Sequence, residues 1–133
     1  KIMASVPGRI LREDRIQSLW AGYGSVSRLT LDGEPKSLIR KRIEPGKGSG
    51  IGHARKVKSY EVEACFYRDH SKNVNAAGAK VPIPYSIDQK EGRSDFILED
   101  LKCEFPREAC DFSYHQCIVV VKWLAAFHAS FWG

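Results

Sequence analysis

One lysine on the apolar side of a strand-like segment restricts the fold more than any other residue. In the segment 37–43, successive side chains point to opposite faces of a strand. Lys41 therefore shares a face with the isoleucines two positions before and after it, whereas Arg40 and Arg42 form the expected solvent face. An ammonium group on an apolar face costs free energy unless it has a partner. We therefore expect Lys41 to meet a negatively charged group inside the protein.

The next helix offers a carboxylate for this role. From His53 to about His70, apolar residues recur at helical spacing, and Glu63 lies at the border of that stripe. An inward Glu63 would orient Lys41 and stabilise its charge. Glu61 competes for the same role, and a surface position for Glu63 is the plainer alternative.

A glycine-containing turn precedes these elements. Gly22, Gly24 and Ser25 come directly before a strand pattern that runs from Val26 to Leu31. Glycines between two strands let backbone N–H groups approach phosphate oxygens closely. The alternative for the glycines is an ordinary hairpin turn. The alternative for Lys41 is a side chain that extends to the edge of the sheet, away from any phosphate.

The other segments predict the rest of an α+β fold. We expect a short charged helix over 9–18, an extended edge strand over 81–87, a buried central strand over 95–101 and a helix from about 111 to 131. The last helix is apolar nearly all round, so it requires burial on several sides. Together the patterns predict an antiparallel sheet of about five strands packed on one long helix.

Charge and cysteine content limit the possible functions. The 133 residues carry 21 basic and 16 acidic side chains, a formal net charge of +5, and the basic ones cluster between 36 and 58. Such a cluster attracts phosphate or is simply a solvated face.

The four cysteines form no zinc-binding pattern, which favours reduced thiols and an intracellular location, with Cys117 buried in the last helix. We expect no signal peptide or membrane span, and because residue 1 is Lys1, the native amino terminus could be missing.

The order of these elements is that of a kinase-type nucleotide lobe: glycine turn, strand with inward lysine, helix with inward glutamate, apolar strand. Segments 19–28, 59–67 and 96–101 resemble the ecdysteroid-kinase-like (CHK kinase-like) branch of the choline kinase/aminoglycoside phosphotransferase superfamily. Segment 124–132 resembles the helix that precedes the catalytic loop of that family. The resemblance extends over nearly the whole chain, from about Gln17 onward.

This resemblance implies a set of ATP-binding residues in the turn, the strand, the helix and the connector: Gly22, Gly24, Ser25, Lys41, Glu63, Glu99, Asp100 and Leu101. The turn would lie over the phosphates, and the lysine would contact the phosphates and pair with the glutamate. The connector would flank the adenine, chiefly through backbone groups. His128 would be structural.

The resemblance also implies what this chain cannot do alone. In that family a His-Gly-Asp catalytic loop and a later magnesium-binding Asp follow the last helix, and this sequence ends at Gly133 before either. Residues 1–101 would form the nucleotide-binding lobe, and 102–133 the connector and first helix of a truncated second lobe. The resemblance therefore assigns no catalytic or metal-binding residue here. The intact cytoplasmic protein would use ATP and Mg²⁺ to phosphorylate a small-molecule hydroxyl group, whereas this fragment would be inactive.

Two other functions compete with this interpretation. The chain could be a non-catalytic module that binds nucleotide weakly or joins a partner protein, or it could bind nucleic acid through the basic residues from 40 to 58. Nucleic-acid binding is the weaker hypothesis because no aromatic residues alternate with that cluster on one strand face. The glycine-rich loop 46–52 lacks the P-loop spacing, so we expect a mobile loop with weak anion affinity.

Overall fold

Five strands form one antiparallel sheet, with helices packed against it. The computed structural model describes residues 6–90 and 92–132. In chain order the strands are β1 (Ile10–Ser18), β2 (Gly24–Leu31), β3 (Ser37–Ile43), β4 (Pro84–Lys90) and β5 (Arg93–Glu99), and their order in the sheet is β1-β2-β3-β5-β4. The helices are α1 (Ile51–Cys65), which continues through a π-helical turn (Phe66–His70) into α2 (Ser71–Ala76), and α3 (Tyr114–Ala129). The α+β class and the five antiparallel strands are those expected from the sequence.

The amino-terminal segment is a strand, so the helix expected over 9–18 is wrong. β1 pairs with β2 from Ile10 opposite Leu31 to Ser18 opposite Ser25, with two register shifts on the way. An isolated helix of this length is marginal in water. The free edge of β2 instead offers backbone hydrogen bonds along the whole segment, and the charged side chains of β1 suit an edge strand.

Both faces of the sheet carry apolar clusters. On the inner face, Ile43 and Phe96 pack with Tyr60 and Ala64 of α1. On the outer face, Leu29, Leu31, Leu38 and Ile97 form a second cluster. The outer face is therefore not the simple solvent face that the sequence pattern predicted. Arg40 lies there with only 25% of its side chain exposed, in an ion pair with Asp95.

A third cluster joins α3 to the rest of the molecule. Val74, Ala79 and Val81 form its buried part, and Trp123 and Phe127 of α3 pack against them. The Trp123 indole N–H also donates a hydrogen bond of 2.9 Å to the Lys80 carbonyl oxygen. Ser113 begins the helix with a capping box to Gln116, which satisfies amide groups of its first turn.

Only one side of α3 is covered by the residues that the structure describes. Val119, Val121 and Leu124 are 66%, 62% and 40% exposed. The burial on several sides that the sequence predicted is thus not supplied within residues 6–90 and 92–132. Cys117 is exposed rather than buried, because it belongs to the uncovered side.

Candidate functional site

Lys41 and Glu63 form an ion pair between β3 and α1. The ammonium nitrogen of Lys41 lies 2.6 and 2.7 Å from the two carboxylate oxygens of Glu63. Both side chains are largely buried, with 19% and 27% exposure. The pairing expected from strand parity is confirmed. The competing carboxylate, Glu61, lies on the exposed side of α1 and binds Lys58 at 2.9 Å.

Tyr60 lies beside this ion pair and contacts two lysines. The ammonium groups of Lys41 and Lys56 are 5.5 and 5.1 Å from the centroid of its ring, within the range of cation–π attraction. Burial raises the pKa of the Tyr60 hydroxyl, and the negative charge of Glu63 adds to the shift. The hydroxyl therefore stays protonated at neutral pH, and the ring presents a neutral surface to both cations.

The glycine turn leads from β1 into β2, and two of its backbone amides donate hydrogen bonds to carbonyl groups within the turn. The amide of Gly22 donates to the Leu19 carbonyl at 3.2 Å, and the amide of Tyr23 donates to the Trp20 carbonyl at 3.3 Å. Gly22 has φ +70°, and a β-carbon there would meet no other atom within 4 Å, so the backbone conformation of the turn is what favours glycine. These two amides already have partners inside the turn.

Gly24 and Ser25 belong to the sheet rather than to the turn. A β-carbon at Gly24 would lie 1.9 Å from the Arg42 carbonyl oxygen, so the close approach of β3 requires glycine there. Ser25 is paired with Ser18 on one side and with Arg42 on the other. The sheet thus gives a packing reason for glycine at position 24, while contact with phosphate remains a prediction for both residues.

Tyr23 and His53 connect the turn to the start of α1. The Tyr23 hydroxyl lies 2.8 Å from Nδ1 of His53, and their rings meet edge to face. The glycine-rich loop packs on the same imidazole, because a β-carbon at Gly48 would lie 2.1 Å from Nδ1. The turn, the loop and α1 therefore meet at one point, in the first turn of α1.

Sequence reasoning missed Tyr23, His53 and Lys56 as members of this cluster. Glycines on both sides of Tyr23 mark a turn that presents its side chain, and Lys56 lies one helical turn before Tyr60. Those signals were present in the sequence. Which partners the three side chains meet depends on tertiary packing.

Asp100 in the connector binds other parts of the sheet through its side chain. It is 6% exposed and accepts hydrogen bonds from Arg28 Nε at 2.6 Å, Ser37 Oγ at 2.7 Å and the Lys102 amide at 3.1 Å. Burial alone would raise the pKa of Asp100, but these hydrogen bonds outweigh it and the pKa is lowered. Asp100 is therefore a structural carboxylate that joins β2 and β3 to the connector.

Glu99 is also occupied by neighbouring protein groups. Its carboxylate oxygens lie 2.8 and 2.9 Å from the ammonium of Lys80, and one accepts a hydrogen bond of 3.1 Å from the Ile83 amide. Leu101 is half-buried and begins a short 3-10 helix, Leu101–Cys103. That this segment flanks an adenine remains a prediction.

Two cavities share lining residues at the end of β3 and the start of β5, Ile43 and Ser94, and neither is lined by Lys41 or Glu63. One, of about 350 Å³, is lined partly by Ile43, Tyr60 and Arg68. The other, of about 530 Å³, lies on the outer face and is lined partly by Arg42 and Arg93. The Lys41–Glu63 pair is thus not enclosed in either cavity.

Metal and membrane sites are not evident in the part of the chain that the structure describes. No cluster of three or more His, Cys, Asp or Glu side chains there is placed to hold a metal ion. None of the helices described combines the length and hydrophobicity needed to cross a bilayer.

No family model, curated protein or solved structure matches this chain. Any functional assignment therefore depends on the residues and their geometry.

Proposed function

We propose that this chain is the ATP-binding lobe of a small-molecule phosphotransferase of the choline kinase/aminoglycoside phosphotransferase type. The observation that carries the proposal is the Lys41–Glu63 ion pair, with 2.6 and 2.7 Å contacts between β3 and α1. An inward lysine held by a helical glutamate, on an antiparallel sheet whose first turn contains glycines, is the arrangement that positions nucleotide phosphates in kinase lobes.

The ion pair leaves Lys41 able to bind a further anion. An ammonium group has three N–H donors, and Glu63 uses two of them. The remaining donor can meet a phosphate oxygen, while Glu63 fixes the direction of the side chain. Because the lysine is already held in place, little side-chain entropy is lost when phosphate binds.

Phosphoryl transfer requires groups that these residues do not supply. The sequence contains no His-Gly-Asp segment, and a base that positions the acceptor hydroxyl would have to come from elsewhere. Bound Mg²⁺ would neutralise phosphate charge, and among the described residues no group of three or more His, Cys, Asp or Glu side chains is placed to hold a metal ion. For this chain we therefore propose nucleotide binding without turnover, in a cytoplasmic protein whose second lobe would hold the metal and the hydroxyl acceptor.

A lysine substitution with a matched control tests the proposal. Lys41→Met removes the phosphate donor and should weaken ATP binding at least about tenfold, the effect of one charge-assisted hydrogen bond. Lys58→Met removes the same charge from the exposed side of α1 and should leave affinity unchanged. The measurement is calorimetric titration of each purified variant with ATP. Equal affinity of the wild type and Lys41→Met would reject the assignment.

Nucleic-acid binding is less well supported by the arrangement of the basic residues. Arg40 and Lys41 lie on opposite faces of the sheet, so the sequence cluster does not form one surface. Arg40, Lys41 and Lys58 are each already paired with a carboxylate. These three charges are therefore partly compensated within the fold, which reduces their contribution to binding a phosphate backbone.

A further inference from the structure

A second lysine, Lys56, lies on the inner side of α1, the side on which the proposed phosphate ligand Lys41 meets Glu63. His53, Lys56, Tyr60 and Glu63 follow one another at intervals of three and four residues, so they share one face of the helix. The members at both ends of this row contact the sheet side: His53 meets Tyr23 of the turn, and Glu63 meets Lys41. Lys56 therefore lies between the turn and the ion pair.

The environment of Lys56 differs from that of its exposed neighbour on α1. Lys56 is half-buried, and its ammonium lies 5.1 Å from the centroid of the Tyr60 ring. Among the described residues it has no carboxylate partner, whereas Lys58 is bound to Glu61 at 2.9 Å. A half-buried ammonium held only over an aromatic ring keeps its N–H donors available for an anion.

The charge around Tyr60 is positive. Two ammonium groups, those of Lys41 and Lys56, converge on one ring, and Glu63 compensates only one of them. Two separated cations attract a group that carries several negative charges along its length more strongly than one compact anion. The hydrogen-bonded Tyr23–His53 pair borders the same region on the side of the turn.

We propose that Lys56 is a second phosphate ligand and that the site accepts a polyphosphate chain, as in a nucleoside di- or triphosphate, in preference to a monophosphate. In this arrangement Lys41 binds one phosphate group and Lys56 binds another, with the Tyr60 ring in cation–π range of both ammonium groups. The inference depends on the proposed function, because it assigns a further ligand to the same site.

Titration with ATP, pyrophosphate and AMP distinguishes this role. We expect wild-type protein to bind ATP and pyrophosphate more tightly than AMP. Lys56→Met should weaken ATP and pyrophosphate binding at least about tenfold, the loss of one charge-assisted contact, and should leave AMP affinity nearly unchanged. Lys56→Arg should retain most of the affinity, and Lys58→Met should match the wild type. Thermal unfolding of each variant verifies that it is folded.

The possible failures are separable. ATP binding that Lys41→Met weakens and Lys56→Met does not would reject the role of Lys56 and leave the proposed function standing. Equal losses for ATP and AMP in Lys56→Met would reject the polyphosphate preference. A wild-type chain that binds none of the three ligands would reject the proposed function itself, and this inference with it.

Discussion

Single residues determine how the turn and the sheet meet. Gly24 has the strictest requirement, because a β-carbon there would lie 1.9 Å from the Arg42 carbonyl oxygen of the neighbouring strand. Gly22, two residues earlier, has open space around it and is favoured only by its φ of +70°. The two glycines look alike in the sequence, yet Gly24 is required by packing as well as by its φ of +148°, whereas Gly22 is favoured by backbone conformation alone.

The two glycines should respond differently to substitution by alanine. Gly24→Ala forces β2 away from β3 and should lower the free energy of unfolding by at least about 3 kcal/mol. Gly22→Ala places alanine in the left-handed region without a clash and should cost about 1 kcal/mol. Urea unfolding followed by circular dichroism measures both values. Equal losses in the two variants would contradict the packing requirement at Gly24.

At the scale of elements, α3 is held by a narrow contact surface. Trp123 and Phe127 stack with ring centroids 5.3 Å apart and pack against the cluster of Val74, Ala79 and Val81. The other side of the helix is exposed, so few contacts oppose its detachment. Elements with few buried contacts open at lower free energy than the global unfolding of the molecule.

Trp123 should therefore dominate the attachment of α3. Trp123→Ala removes half-buried ring packing and should cost about 2 kcal/mol, whereas Trp123→Phe loses mainly the hydrogen bond to the Lys80 carbonyl and should cost about 1 kcal/mol. Trp132→Ala is the matched control, because Trp132 is 88% exposed and its loss should be nearly neutral. Hydrogen exchange of α3 amides provides the measurement. Wild-type protection in Trp123→Ala would show that other contacts hold the helix.

At the scale of the whole molecule, Asp100 ties distant parts of the chain together. Its carboxylate accepts hydrogen bonds from Arg28 of β2 and Ser37 of β3, 72 and 63 residues away. These bonds hold the pKa of Asp100 below its ordinary value of 3.8 despite burial. A carboxylate with a lowered pKa stabilises the fold when ionised, so its contribution is present above the ordinary pKa and is lost as the pH falls through the folded one.

Acid should consequently remove the contribution of Asp100. At neutral pH, Asp100→Asn should lower the free energy of unfolding by about 2 kcal/mol, because hydrogen bonds to an ionised group are lost. That difference from the wild type should stay constant above the ordinary pKa of 3.8 and shrink progressively below it. Urea unfolding of both proteins at a series of pH values gives the comparison. A difference that does not change with pH would contradict the assignment.

The sequence by itself determined the α+β class and the strands around Lys41, and it favoured Glu63 over Glu61 as the partner on α1, a choice that the structure decided. These follow from side-chain alternation in a strand and from helical spacing, which are local properties. It did not determine that residues 10–18 form a strand, because edge pairing with β2 outweighs weak local preferences.

Tertiary structure alone decided the partners of the other charged and aromatic side chains. The capture of Asp100 by Arg28, the Tyr23–His53 contact and the placement of Lys41 over the Tyr60 ring join residues far apart in the chain. No local periodicity encodes such pairs. They form because a buried charge or hydroxyl group needs a partner, and folding determines which one is within reach.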